Sequence, residues 1–355
     1  MPLGARIEDD PFVLLLSDRP SERSALARAI GHVITCLTAE IGEALPGGED
    51  ARLAVIDLDA AGLATASSIL DQGPWRSVPR LVLARSGSRP VRLPAASRVL
   101  PAAAPRETVL AGIFAMIEAA TRDVRARGRK LHEQGAAATS IVADLFDSAA
   151  LGARIDPAAI EQGTEIVLAA VSEAGIRTWL DIVWRHDAGV YQHTLSVAGY
   201  AAAFGAVLGL NGPDQGRLAR AALLHDIGKS RIPAEILNKP GRLSPEEWRL
   251  MCRHPVIGAD LLAAQGDIEP AVIAVVRHHH ERIDGMGYPD RLAGPAISDL
   301  TRLTAICDVF SALTERRAYR KPLAPREALA AMEAERGHLD PALLRAFAPV
   351  AEQGA

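Results

Sequence analysis

Short unbroken apolar runs mark the first hundred residues, and helical periodicity marks the rest. Phe12 to Leu16 is wholly apolar and closes on Ser17-Asp18, after which Ser21 through Ile30 reads as a helix. His32-Val33-Ile34-Thr35-Cys36-Leu37 is a second run leading into another helical stretch, and Leu53-Ala54-Val55-Ile56-Asp57-Leu58 is a third that carries an aspartate. Leu81 to Ala84 and Arg98 to Leu100 complete the series. Apolar runs of strand length alternating with helical patterns predict a parallel α/β sheet, because strands covered on both faces have no polar side to show. Such sheets bind ligands at the carboxyl ends of their strands, where Asp18 and Asp57 fall.

From Pro105 the period changes. Leu110, Ile117, Val124 and Leu131 recur every seventh residue, with Arg122, Asp123, Arg125, Arg127, Arg129 and Lys130 on the other faces, a short heptad-like stripe. Gly135 and the alanines after it predict a weakened helix that resumes from Ile141 to Phe146. Asp156-Pro157 is a helix start, with a capping acid ahead of a proline whose missing N–H costs nothing there. Asp214, Ser244-Pro245-Glu246-Glu247 and Pro325-Arg326-Glu327 are further starts. From Thr178 onward the pattern is helix after helix. The expected organisation is a tail at 1–10, a sheet domain at 11–120, a helical linker at 121–154, an all-helical domain at 155–350 and a tail at 351–355.

Composition narrows the picture. A chain of 355 residues with 49% hydrophobic content can build two cores, and a formal net charge of −4 leaves no footprint for nucleic acid. No apolar run approaches the ~20 residues of a membrane span, and the first residues lack an apolar leader. Cys36, Cys252 and Cys307 are widely spaced and odd in number, which fits a reducing compartment. A cytoplasmic location is therefore expected.

The candidate chemistry lies in the helical part. The run Leu218, Ala221, Ala222, Leu223, Leu224 ends in His225-Asp226-Ile227-Gly228-Lys229, which sets a carboxylate at the end of an apolar helix. A buried charge needs a partner. Alone, a His-Asp dipeptide is an ordinary helix end. Here it is joined by His193 within a helix, His254 before Pro255, His279-His280-Glu281 closing an apolar helix, and Asp308 in Leu303 to Phe310. Five histidines and two aspartates at apolar helices and helix ends imply a metal, and a mixed imidazole and carboxylate set fits iron, manganese or zinc better than magnesium or calcium.

Two resemblances follow from these residues. The sheet part resembles a response-regulator receiver domain, with Asp57 where the phospho-acceptor would lie. It departs from that pattern in having one acid at Ser17-Asp18, Ala84-Arg85 after the fourth strand, and no lysine in Leu100 to Pro105. A degenerate receiver used for dimerisation or docking is the competing expectation. The stretch from about Trp179 to Phe347 strongly resembles the HD-GYP family of metal-dependent phosphohydrolases. The resemblance is carried by Ala222 to Lys229, Ile236 to Gly241, His254-Pro255, His279 to Pro289 with its Gly287-Tyr288-Pro289, Asp308-Val309-Phe310 and Arg317 to Arg320.

That likeness implies hydrolysis of cyclic di-GMP to pGpG, and on to GMP in some members, by metal-activated hydroxide between two ions about 3.5–4 Å apart. Iron or manganese is the leading expectation, with zinc or nickel as alternatives. Carried over position by position, His193, His225, Asp226 and Asp308 would hold one ion and Asp226, His254, His279 and His280 the other, with Asp226 bridging and acting in catalysis. Some members use a glutamate four residues before the first histidine for a third ion; Gly189 stands there, so two are expected. Lys229 is the expected catalytic cation, and Tyr288, Arg317, Arg320 and Lys321 the expected substrate contacts. The implied partners are cyclic di-GMP, a histidine kinase or diguanylate cyclase, and a second copy joined through the receiver-like domain and linker helix. The rival expectation is a slow nucleotide sensor or scaffold that docks other cyclic di-GMP signalling proteins.

Overall fold

The computed structural model describes residues 10–85, 93–185, 190–315 and 321–354. Internal contacts divide the chain at Gly128/Arg129 into two compact units.

The first unit is a five-stranded, wholly parallel sheet with strand order β2-β1-β3-β4-β5, the flavodoxin-like doubly wound order. Its elements are β1 (Phe12–Ser17), α1 (Pro20–Gly31), β2 (Thr35–Ala39), β3 (Ala51–Asp57), α2 (Ala60–Leu70), β4 (Arg80–Ala84) and β5 (Arg98–Pro101). Because successive side chains point to opposite faces, Leu14 and Leu16 pack with Leu63, Leu70 and Trp75 on one side, and Val13 and Leu15 with Leu26 and Ile30 on the other. This is why the strands read as continuous apolar runs.

The helix expected after β2 is absent. Residues 40–50 form an irregular loop instead, in which Gly42 takes φ +100° and Pro46 breaks the helical hydrogen-bond pattern. Trp75 fastens this loop: its indole N–H donates to Pro46 O at 3.1 Å, and a Cβ on Gly48 would meet the Trp75 backbone at 2.9 Å.

Helix α3 (Arg106–Leu151) does not weaken at Gly135. A Cβ there would collide with the Ile182 side chain, so the glycine permits close helix packing rather than ending the helix. Val109, Ile113, Met116 and Ile117 of this helix are buried in the first unit's core. Leu131, Ala138, Val142, Leu145 and Phe146 are buried in the second's, within the stretch expected as linker. No side chain from 121 to 130 is buried.

The second unit continues with α4 (Pro157–Val183), interrupted at Gly175 with φ +81°, then α5 (Val190–Val207), α6 (Gly212–Leu224), α7 (Ala234–Leu237) and α8 (Pro245–Met251). It closes with α9 (His254–Ala263), α10 (Pro270–His278), α11 (Asp299–Thr314), α12 (Pro325–Ala334) and α13 (Pro341–Gln353). Asp156 caps α4 through Ala158 N–H, and Ser244 and Glu247 form a reciprocal capping box on α8, as their spacing predicts. The start expected at Asp214 is capped one turn earlier, by Asn211, whose side chain accepts from Asp214 N–H. Tyr200, Phe204, Phe310 and Phe347 meet edge to face at the centre of the core. Among the described residues no helix is long and apolar enough to cross a membrane.

Candidate metal centre

The His225-Asp226 pair owes its position to glycine. α6 ends at Leu224, His225 caps it, and Asp226 leads into a short 3-10 turn, Ile227–Arg231. A Cβ on Gly228 would lie 2.6 Å from Gly258 N and closer still to His254 O, so this turn can rest directly on α9 only without a side chain. The contact sets Asp226 against His254. α10 delivers His279 and His280 from its carboxyl end, α11 carries Asp308, and α5 carries His193.

The seven side chains expected as ligands converge in two groups. One contains Asp226, His254, His279 and His280, and the other His193, His225 and Asp308, with the potential ligand atoms of each group within 4.8 Å of one another. Asp226 faces both. Its Oδ1 lies 3.2 Å from His254 Nε2 and 3.7 Å from His279 Nε2, while its Oδ2 lies 3.3 Å from His225 Nε2 and 3.8 Å from His193 Nε2. Asp308 spans the other side, with Oδ1 at 3.0 Å from His193 Nε2 and Oδ2 at 3.9 Å from His280 Nδ1.

Three of the imidazoles are oriented by one device. His225, His254 and His279 each donate Nδ1–H to the carbonyl three residues back, Ala222, Met251 and Val276, at 2.7, 2.8 and 2.9 Å. A ring that donates through Nδ1 and stays neutral presents a bare lone pair at Nε2. The Nε2 atoms of His254 and His279 then face each other at 3.3 Å, a repulsive pairing that a cation between them relieves. His225 Nε2 and Asp226 Oδ1 are buried with no hydrogen-bond partner. Buried polar atoms of this kind are rare and call for an explanation, and divalent ions held by imidazole and carboxylate supply one.

Electrostatics agree. Burial pushes the Asp226 carboxyl up, but Lys229 and His225 outweigh it and hold it well below the usual range. Asp308 is likewise held down against burial, by the hydrogen bond and charge of His193. Burial drives His279 well below an ordinary imidazole and His280 down to about 3. For His193 burial also favours the neutral ring, yet the carboxylates of Asp308 and Glu315 reverse it and raise the ring to about 9. Ionised Asp226 and Asp308 beside neutral His279 and His280 are donors of the kind a transition metal requires, and a cation bound beside His193 would displace the proton that Asp308 and Glu315 hold on its ring.

Glu315, just past α11, escaped the sequence reading. Its Oε2 lies 2.9 Å from His193 Nδ1, where His225, His254 and His279 have a backbone carbonyl. The available signal is spacing: Glu315 follows Asp308 by seven residues and Ser311, 3.4 Å from the same nitrogen, by four, so all three share one helix face. Glu281 has a role beyond its place in the motif. Buried to 3% exposure, it accepts the backbone N–H groups of Asp290 and Leu292 and thereby shapes the loop that carries Tyr288. Gly287 is required in that loop, since a Cβ would meet Glu281 Cα and Arg282 N at 2.5 Å.

The remaining expected residues are distributed as follows. Lys229 Nζ is 2.5 Å from Asp226 Oδ2, and the Tyr288 ring lies 4.8 Å from that of His280. His278 turns away to Asp290 at 2.9 Å. Lys321 is exposed, while Arg317, Arg320 and Gly189 lie outside the described residues. In the first unit Asp57 is fully buried. Its Oδ2 accepts from Ser17 Oγ and Arg19 Nε, both at 2.9 Å, and its Oδ1 lies 3.2 Å from Arg85 Nη2, which also holds Asp18.

Comparison with known proteins places this geometry. Residues 177–343 match the family model described as HD domain. The chain is 39% identical over 211 residues to "Cyclic di-GMP phosphodiesterase PA4108" of Pseudomonas aeruginosa, covering 59% of this chain and 51% of that one. It is 44% identical over 145 residues to "Cyclic di-GMP phosphodiesterase response regulator RpfG" of Xanthomonas campestris pv. campestris, covering 39% and 38%. To "3'3'-cGAMP-specific phosphodiesterase 2" of Vibrio cholerae it is 36% identical over 154 residues, covering 43% and 30%. The chain thus spans about half or less of the length of these curated relatives. Among solved structures, "Bd1817, a HDG"Y"P protein from Bdellovibrio bacteriovorus" superposes with a TM-score of 0.51 at 18% identity over 66% of this chain and 80% of that one, a likeness of fold. The helical part of the chain therefore carries an HD domain, and the converging histidines and aspartates lie within it.

Proposed function

We propose that the HD domain holds two transition-metal ions and hydrolyses cyclic di-GMP to pGpG. The observation that carries this reading is the Asp226 carboxylate, which turns one oxygen to each of two histidine clusters. The names of the relatives supply the substrate class. His193, His225, Asp226 and Asp308 would hold one ion, and Asp226, His254, His279 and His280 the other. Bound there, two such ions polarise a phosphodiester and lower the pKa of water towards neutrality.

The protein's own groups do the rest. The backbone carbonyls of Ala222, Met251 and Val276 fix three rings in the ligating tautomer, so little reorganisation accompanies metal binding. Lys229, with a side chain 19% exposed beside Asp226, brings an ammonium that can offset phosphate charge or donate a proton to the leaving oxygen. Tyr288 borders the centre, and Arg317, Arg320 and Lys321 complete the proposed anion contacts. Relatives named for 3'3'-cGAMP favour a second reading in which that dinucleotide is the substrate.

The proposal extends to a cytoplasmic enzyme regulated by docking at a receiver-like N-terminal unit, with a diguanylate cyclase as partner and self-association through that unit and the helix beyond it. The arginine clamp on Asp57 supports a receiver-like unit that does not take phosphate.

The test is product analysis by chromatography, with metal content measured by mass spectrometry on anaerobically purified protein. Two ions per chain and conversion of cyclic di-GMP to pGpG are expected, and both are lost when His225→Ala is combined with Asp226→Ala. A metal-loaded wild type that leaves cyclic di-GMP and 3'3'-cGAMP intact refutes the enzymatic reading.

A further inference from the structure

The candidate centre opens to solvent at one ligand. Side-chain exposure is 28% at His280 but 9% or less at His193, His225, Asp226, His254, His279 and Asp308. A row of rings leads outward from that opening. Tyr288 lies 4.8 Å from His280 with the planes inclined by 32°, and Trp248 on α8 lies 6.4 Å beyond, edge-on to Tyr288 at 75°.

Trp248 differs from the other tryptophans of the chain. Trp75, Trp179 and Trp184 donate their indole N–H groups to Pro46 O, Leu195 O and Ser196 Oγ. Trp248 has no such acceptor among the described residues and is 53% exposed. It belongs to no core cluster of the described residues, and α8 contributes no buried residue. The helix itself is well anchored: Ser244 and Glu247 cap it reciprocally, and Lys239 Nζ binds Glu247 Oε2 at 2.7 Å. An anchored helix that holds a large ring in water beside a phosphate-type site presents a ready stacking surface, since every nucleobase offers a π-face.

We infer that Trp248 is a base platform, stacking on a purine of the nucleotide whose phosphodiester occupies the metal centre. The inference rests on the phosphodiesterase reading and adds a residue that selects for an aromatic base. Burying an exposed indole face against a base also favours binding without any rearrangement of α8.

The experiment is calorimetric titration of metal-loaded full-length protein with a hydrolysis-resistant phosphorothioate analogue of cyclic di-GMP, in wild type, Trp248→Phe, Trp248→Leu and Trp248→Ala. Leu and Ala are expected to raise Kd about tenfold or more, and Phe to stay within about threefold of wild type. Inorganic phosphate, which has no base, should bind wild type and Trp248→Leu within about twofold of each other. Circular dichroism and the melting temperature identify variants that fail to fold, and for those the loss of Trp248 fluorescence quenching on adding the analogue, compared between wild type and Trp248→Phe, serves instead. Equal affinity of wild type and Trp248→Leu for the dinucleotide, or absence of quenching, overturns the platform while leaving the phosphodiesterase reading intact. Failure of wild type to bind either cyclic dinucleotide, with metal present, removes both.

Discussion

His193 is held unlike its neighbours. The other deeply buried imidazoles lean on main-chain carbonyls, which cannot be mutated away, whereas His193 Nδ1 meets the carboxylate of Glu315 at 2.9 Å. A carboxylate behind a ligating histidine fixes the ring and raises its basicity, and losing such a partner costs roughly 10–100-fold in metal affinity. Glu315→Gln is therefore expected to weaken one of two metal sites by about that factor, with Glu315→Asp retaining part of the loss. Titration of metal-free protein with Mn²⁺ followed by calorimetry reads this directly. Two undiminished affinities in Glu315→Gln would show that the contact with His193 has no part in metal binding. Residues like Glu315 stay hidden in a sequence because they carry no motif of their own. The histidines were legible because imidazole at the end of an apolar helix conflicts with burial, and the conflict marks function.

At the scale of elements, the centre is assembled from helix ends, and small residues decide how closely those ends meet. Gly228 and Gly258 lie against each other where the turn after Asp226 crosses α9. Adding a methyl group at 228 forces main chain away from main chain, which no side-chain rotation can relieve. Overpacking of this kind costs about 1–3 kcal/mol. Gly228→Ala is expected to lower the urea or thermal midpoint accordingly and to part Asp226 from His254. A variant with the wild-type midpoint would contradict the crowding argument.

Packing also explains where the sequence misled. Gly135 reads as a weak point because glycine costs about 1 kcal/mol in a helix interior, but its place opposite Ile182 repays the cost through close approach. The stretch after β2 has alanine and glutamate enough for a helix, yet Gly42, Pro46 and the hold of Trp75 on the chain outweigh them. The strands were legible because burial on both faces leaves an apolar run that needs no partner to be recognised.

For the molecule as a whole, the two units manage buried carboxylates in opposite ways. In the HD domain Asp226 and Asp308 face imidazoles and keep a buried atom unsatisfied, an arrangement that suits an exchangeable cation. In the sheet unit Asp57 is neutralised by side chains already in place: Arg19 and Arg85 bring two guanidinium groups and Ser17 a hydroxyl. Neither arginine could be read as a partner of Asp57 from sequence, because the pairing depends on β1, β3 and β4 lying side by side. The arrangement decides what Asp57 can do. A carboxylate acts as a nucleophile towards phosphorus only if an oxygen is free to attack in line, and Asp57 is 0% exposed with both oxygens engaged. Opening the clamp would separate an ion pair with a fully buried acid, a costly step. Incubation of the intact chain with acetyl phosphate and Mg²⁺ is accordingly expected to give no phosphoryl mass gain, and the rate of cyclic di-GMP hydrolysis should be the same with and without the donor. A stoichiometric gain that disappears in Asp57→Asn would mean that the clamp opens readily, and the first unit would then have to be read as a working phosphate receiver.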